Sequence, residues 1–199
     1  MDYTTIRHNF ENHGFSTRFF PTAEEARDYL VKTLERQTIG FGGSVTLRDL
    51  GLFEALQEKN AVVWHNKVKV ESHDIRRMAN TASVYITSVN ALAETGQIVN
   101  IDGTGNRISM TAFGPRSCYY VVGKNKIMPT LTDAMDRAKN VAAPQNARRL
   151  RRLTPCARKG DRCYNCNTPD RICRMTMIMD RAPYGMQSEI IFIDQDLGL

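Results

Sequence analysis

Apolar positions in this chain recur with two periods, and the switch between them marks the elements. Thr22 and Glu25 make a capping-box pattern, after which Ala26, Tyr29, Leu30 and Leu34 follow at helical spacing to about Arg36. Thr38-Ile39-Gly40-Phe41 reads as a short buried strand ended by Gly42-Gly43-Ser44. From Leu47 to Lys59 a helix is predicted with Leu50, Phe53 and Leu56 on one face and Thr46 as its cap. Strands follow at 61–64 and 83–87, separated by a helix at 74–80. Another strand, 97–101, stops at Asp102-Gly103-Thr104-Gly105, and a helix is expected from Asn106 to Phe113. Cys118 to Gly123 is the most apolar strand. A helix from Leu131 to about Ala142 takes its cap from Thr130 or Thr132, and Pro144 opens a further short one. Residues 175–179 and 189–193 predict two late strands paired with each other, and the N-terminal segment with His8 and His13 is expected to be peripheral.

Short strands alternating with helices predict an α/β fold, a mainly parallel sheet sandwiched by helices. Residues 1–150 would form this domain, and 151–199 would add a cysteine-rich loop and the terminal strands that complete it. The 199 residues suit one domain, and 42% hydrophobic with 24% charged residues excludes wholesale disorder. No apolar run reaches the ~18–20 residues of a membrane span. Met1-Asp2-Tyr3 does not begin a basic and apolar leader, so the expected location is cytoplasmic. Thiols stay reduced there, and clustered cysteines point to metal before disulfide.

Charge sharpens this picture. The formal net charge is +6, but eleven basic residues against two acids lie between Arg137 and Arg174, so the remainder is acidic overall. The same stretch contains four of the five cysteines. Aromatic residues are sparse in it and no nucleic-acid motif accompanies it, which argues against nucleic acid as the partner. The expected role of the basic stretch is counter-charge for the cysteines.

Two glycine loops carry candidate binding chemistry. Gly42, Gly43 and Ser44 stand where a strand gives way to a helix, and Gly103, Thr104, Gly105, Asn106 and Arg107 repeat that placement. Glycines let backbone N–H groups approach a ligand, and two loops at the carboxyl ends of parallel strands would face one crevice. The expected ligand is a small anion, a carboxylate or phosphate, with Arg107 as a forked contact. A purely structural role is the alternative, with Asp102 capping and Arg107 paired to it. Neither loop is a P-loop or a dinucleotide fingerprint.

These residues also carry a family resemblance. Gly42-Gly43-Ser44-Val45-Thr46-Leu47 is similar to a segment of LUD (lactate-utilisation) domain proteins. Residues 87–96 followed by 99–107 resemble their most recognisable stretch, which brings Asn90 into the candidate ligand set. Residues 121–126 and 142–147 continue the likeness, and Thr154 to Cys173 resembles the four-cysteine tail of small stand-alone members. The resemblance implies a fold similar to ribose-5-phosphate isomerase, glucosamine-6-phosphate deaminase and the CoA transferases. It also implies a part in lactate or 2-hydroxy-acid oxidation. The wider superfamily keeps an acid near the position of Asn90, and the amide here speaks against isomerase chemistry. Glu94 lies near where CoA transferases hold a nucleophilic glutamate; Glu94 and Asp102 are the weak catalytic candidates, with an exposed turn as the alternative for Glu94.

Cys156, Cys163, Cys166 and Cys173 are spaced C-x6-C-x2-C-x6-C. Four thiolates suit zinc or an iron–sulfur cluster, and the spacing does not choose between them. A redox dithiol and unlinked core cysteines are the alternatives. Cys118 is read as a core residue, His65 and His73 as surface or hydrogen-bonding histidines, and Tyr164 as packing over the cysteine loop. The leading expectation is a redox-linked component of lactate utilisation with possible redox protein partners and a possible homo-oligomeric state. Its alternatives are a non-catalytic redox or metal sensor, and a transferase or isomerase acting on a CoA ester or sugar phosphate.

Overall fold

The computed structural model describes residues 1–67 and 73–199. Its backbone is a six-stranded, wholly parallel sheet in the order β1-β10-β7-β4-β2-β3. These strands are β1 (Ser16–Phe20), β2 (Thr38–Phe41), β3 (Ala61–Val63), β4 (Val84–Thr87), β7 (Ser117–Gly123) and β10 (Gln187–Ile193). A smaller four-stranded sheet runs β8-β5-β6-β9, from β5 (Ala91–Ala93), β6 (Ile98–Asp102), β8 (Ile127–Met128) and β9 (Met175–Met179). The architecture is mixed α/β, with helices flanking the parallel sheet.

Period-2 alternation explains why the main sheet is buried on both faces. In β7, Cys118, Tyr120 and Val122 pack to one side with Ile190 and Phe192 of β10; Val121 packs to the other with Ile191 and Ile193. The first face is covered by helix α1 (Tyr3–Asn12), through Ile6 and Phe10, and by Leu92, Ile98 and Met179 of the small sheet. The second is covered by α2 (Ala23–Thr33), α3 (Val45–Asp49) and α4 (Leu52–Leu56).

Several expectations are corrected. Residues 3–12 are not peripheral, since Ile6 and Phe10 are core residues. The helix expected over 47–59 breaks at Gly51, which takes a left-handed φ of 62° between α3 and α4. Its cap is Ser44, whose Oγ accepts the Leu47 N–H at 3.2 Å, while Thr46 is buried. The two late strands do not pair: β10 lies between β1 and β7, and β9 runs antiparallel to β6 in the small sheet. Consequently the loop after β6 leaves the small sheet rather than the parallel one. Helix α7 (Leu131–Arg137) passes through a π-helical turn at 138–142 into α8 (Ala143–Arg149), so Pro144 lies within one continuous helical path.

Candidate functional site: a cationic crevice beside a cysteine loop

The carboxyl ends of β2, β4 and β7 open onto a cavity of about 350 Å³. This is the edge at which parallel α/β sheets gather ligands. Gly43 and Ser44 come from the loop after β2, and Ser88 and Asn90 from the crossover after β4. Lys126 comes from the turn after β7; Gly103, Thr104, Asn106 and Arg107 come from the small sheet. Both glycine loops therefore reach one crevice although only one of them ends a strand of the parallel sheet. Gly42 and Gly105 stand behind the lining. A Cβ on Gly42 would be 2.6 Å from Thr87 Oγ1, and Gly105, with φ of 88°, lies against Met175.

The second loop is closed by its own aspartate. Asp102 Oδ1 accepts the N–H groups of Thr104 and Gly105, and Oδ2 those of Arg107 and Ile108. Burial pushes the Asp102 carboxyl up, but Arg107 and these N–H groups outweigh it and hold the acid below its usual range. Asp102 is thus a cap, and those four amides are not available to a ligand. Arg107 is fixed as well, one end of its guanidinium donating to Asn90 Oδ1 and to the Ile101 carbonyl, both at 2.7 Å. Asn90 further accepts the Ile101 N–H, and its carbonyl takes Arg137 at 2.6 Å. Asn90 is the joint of this wall. Glu94 is outside the crevice, in the turn after β5, where its carbonyl accepts from Asn9.

Three features of the crevice are missed by the sequence reading. Lys126 is buried, 3% exposed, and donates from Nζ to Thr46 Oγ1 at 2.8 Å and Ser88 Oγ at 2.9 Å. Burial, with Arg137 and Arg107 nearby, lowers its pKa to about 7. His65 is not a surface histidine: it is 8% exposed, its Nε2 faces Gly43 across the crevice, and its buried Nδ1 has no hydrogen-bond partner among the described residues. Burial, then Arg76, pull its pKa down to about 4, so the imidazole is neutral at pH 7. The third feature corrects the role of the basic stretch. Arg149, Arg152, Arg171 and Arg174 line the crevice itself, so they do not serve the cysteines alone.

The cysteine loop shares this wall. The Arg174 N–H donates to the carbonyl of Asp102, and a Cβ on Gly103 would stand 2.9 Å from the Ile172 carbonyl. Arg171 donates to the carbonyls of Cys173 and Cys166 at 2.7 and 2.6 Å, clasping the loop. Within it, Asn165 adopts φ of 43° and sends its N–H to Cys163 Sγ at 3.3 Å, and Thr154 Oγ1 lies 3.2 Å from Cys156 Sγ. Burial and then the charges of Cys163, Cys156 and Cys166 push the Cys173 thiol up to about 11. Cys173 therefore keeps its proton at neutral pH, and a cation beside it would be needed to stabilise its thiolate. As placed, no three His, Cys, Asp or Glu side chains among the described residues stand close enough to share one ion. Cysteines are donors of the kind a thiophilic metal takes, but the four of this loop do not converge on one point in this structure. Lys159 and Arg162 lie over the ring of Tyr164 at 4.7 and 5.6 Å, so that side chain packs on the loop's own cations. Cys118 is fully buried in β7.

Fold and site define an α/β domain with a cation-lined crevice at the carboxyl edge of a parallel sheet. The LUD domain family model matches residues 3–193, and the chain belongs to that family. A DUF162 family protein from Deinococcus radiodurans, known as a crystal structure, is similar over 97% of this chain and 99% of its own. Its TM-score is 0.55 at 16% identity, a likeness of fold. Ribose 5 phosphate isomerase A from Neisseria gonorrhoeae shows a partial likeness, with TM-score 0.34, 18% identity and 56% of each chain covered. No curated protein matches the chain. No helix among the described residues is long and apolar enough to cross a membrane.

Proposed function

We propose that this LUD-domain protein takes lactate or a related 2-hydroxy-acid into the crevice, as a redox-linked component whose four cysteines hold an iron–sulfur cluster or zinc. The observation that carries the reading is the shared wall: the segment 171–174 bears Cys173 and also Arg171 and Arg174, which line the crevice. A ligand held there would touch the segment that carries Cys173. Arg107 and Lys126, at the inner end, suit a carboxylate: Arg107 is a cation beside a water-poor wall, and an arriving anion would hold the proton on Lys126, which lies near 7 without it. Oxidising a hydroxy-acid requires a group that accepts the hydroxyl proton, and His65, a neutral imidazole lining the crevice with Nε2 toward Gly43, is the candidate for it. An iron–sulfur cluster would relay electrons one at a time to a redox partner, and the hydride at C2 would need a separate two-electron acceptor supplied by that partner; zinc would only hold the loop closed.

Calorimetric titration with lactate and pyruvate tests the binding half. Saturable binding that is lost in Lys126→Met supports the reading, and no binding by folded protein contradicts it. Broad absorption near ~400 nm after anaerobic purification supports a cluster, one equivalent of zinc supports a structural site, and metal-free protein removes both.

A further inference from the structure

The arginines of the outer wall are held in a manner that bears on what the ligand carries. From the end of α8 and the segment 169–174, the crevice receives Arg149, Arg152, Arg171 and Arg174 with one acid of the same segment, Asp170; Asp102, engaged by its own loop, and the terminal Leu199 also line it. Most are oriented by neutral acceptors. Arg149 donates to Asn146 Oδ1 at 3.0 and 2.7 Å, Arg171 to the two cysteine carbonyls, and Arg174 to the carbonyls of Arg171 and Pro169. Among the described residues, Arg152 alone of the four has a carboxylate partner, Asp170 at 3.8 Å. Carbonyls and amides fix a guanidinium without cancelling its charge.

The cysteine loop has its own cations, since Lys159 and Arg162 sit over Tyr164, so Arg149 and Arg152 are not needed there. Lactate would engage one end of such a crevice. Its lone carboxylate leaves the outer arginines unanswered, and about 350 Å³ holds roughly ten waters at ~30 Å³ each.

We infer that the outer wall is a second anion subsite and that the ligand is a 2-hydroxy-acid bearing a phosphate as well as its carboxylate. The inference rests on the crevice reading above and narrows its substrate class. The carboxylate lies at Lys126 and Arg107, and the phosphate, with three oxygens and about two charges, lies among the arginine forks.

The test compares glycerate, malate and 3-phosphoglycerate by titration calorimetry on the full chain at fixed ionic strength. The phosphorylated acid is expected to bind at least tenfold more tightly than glycerate. The double variant Arg149→Gln/Arg152→Gln should bring the 3-phosphoglycerate-to-glycerate affinity ratio down towards one, with the thermal midpoint near wild type. Equal affinity for glycerate and 3-phosphoglycerate overturns the second subsite but leaves the crevice reading standing. A preference for malate over 3-phosphoglycerate overturns the phosphate. Binding by none of the three removes the crevice reading itself. Tight binding of a DNA or RNA oligonucleotide, abolished by the same double variant, would reassign the arginines to a nucleic-acid backbone.

Discussion

Asn90 accepts a hydrogen bond from Arg107 at 2.7 Å, joining the crossover after β4 to the helix that follows the second glycine loop. The same oxygen takes the Ile101 N–H at 2.8 Å, so one amide side chain supports both a cation and a strand end. Asn90→Ala would leave a guanidinium and a backbone N–H short of an acceptor in a poorly hydrated wall. The expected loss is about 2–4 kcal/mol in urea unfolding, with weakened anion binding in the fraction that remains folded. Asn90→Asp, which keeps the acceptor, should recover stability but repel the anionic ligand. Equal behaviour of the two variants would show that Asn90 does not act through Arg107.

Gly40 and Gly43, in and just after β2, predict opposite outcomes. A Cβ on Gly40 would lie 2.1 Å from the carbonyl oxygen of Ala79, and the backbone there cannot yield cheaply. Gly40→Ala should cost more than about 3 kcal/mol or prevent folding, by the logic of overpacking a close contact. On Gly43 the same atom meets only the His65 ring, at 3.3 Å. Gly43→Ala should fold, with a thermal midpoint within a few degrees of wild type, and act on ligand affinity instead. Thermal unfolding of the two variants separates packing from site.

Much of the fold is legible in the chain because strand runs such as 118–123 are apolar at every position, as parallel strands buried on both faces must be. Partner choice is not. Periodicity marks 175–179 and 189–193 as strands, but nothing local states that they join different sheets. The glycine loops are visible as punctuation, and both do reach the crevice. What hides is burial of polar groups. Lys126 lies in Gly-Lys-Asn-Lys, which reads as an exposed turn, and only the tertiary contacts with Thr46 and Ser88 bury it. His65 is similar, since no spacing signal accompanies a single histidine packed against a glycine. The basic stretch is plain in sequence, yet which arginines turn to the crevice depends on how the segment 169–174 lies across Asp102.

Lys126 and His65 give the stability a predictable pH profile. Lys126 drops to about 7 from 10.5 on folding, so between those values the unfolded chain holds a proton that the native state lacks. Its contribution therefore makes the protein more stable as pH rises through that window, by up to about 1.4 kcal/mol per unit. His65 falls from 6.5 to about 4, so stability is lost as pH drops through that range. Urea unfolding at stepped pH should show a shallower alkaline slope in Lys126→Met than in wild type, and a shallower acid slope in His65→Gln. Parallel curves would mean that neither group is buried as described.

The central claim is that the cysteine loop and the anion crevice share a working wall. The most direct measurement is lactate affinity by calorimetry on anaerobically purified protein, with its metal and sulfide content determined, before and after stripping with a chelator. Metal-loaded protein that binds lactate several-fold more tightly than the stripped form is the predicted result. Identical affinity in the two forms, or protein that carries no metal at all when purified anaerobically, would contradict it.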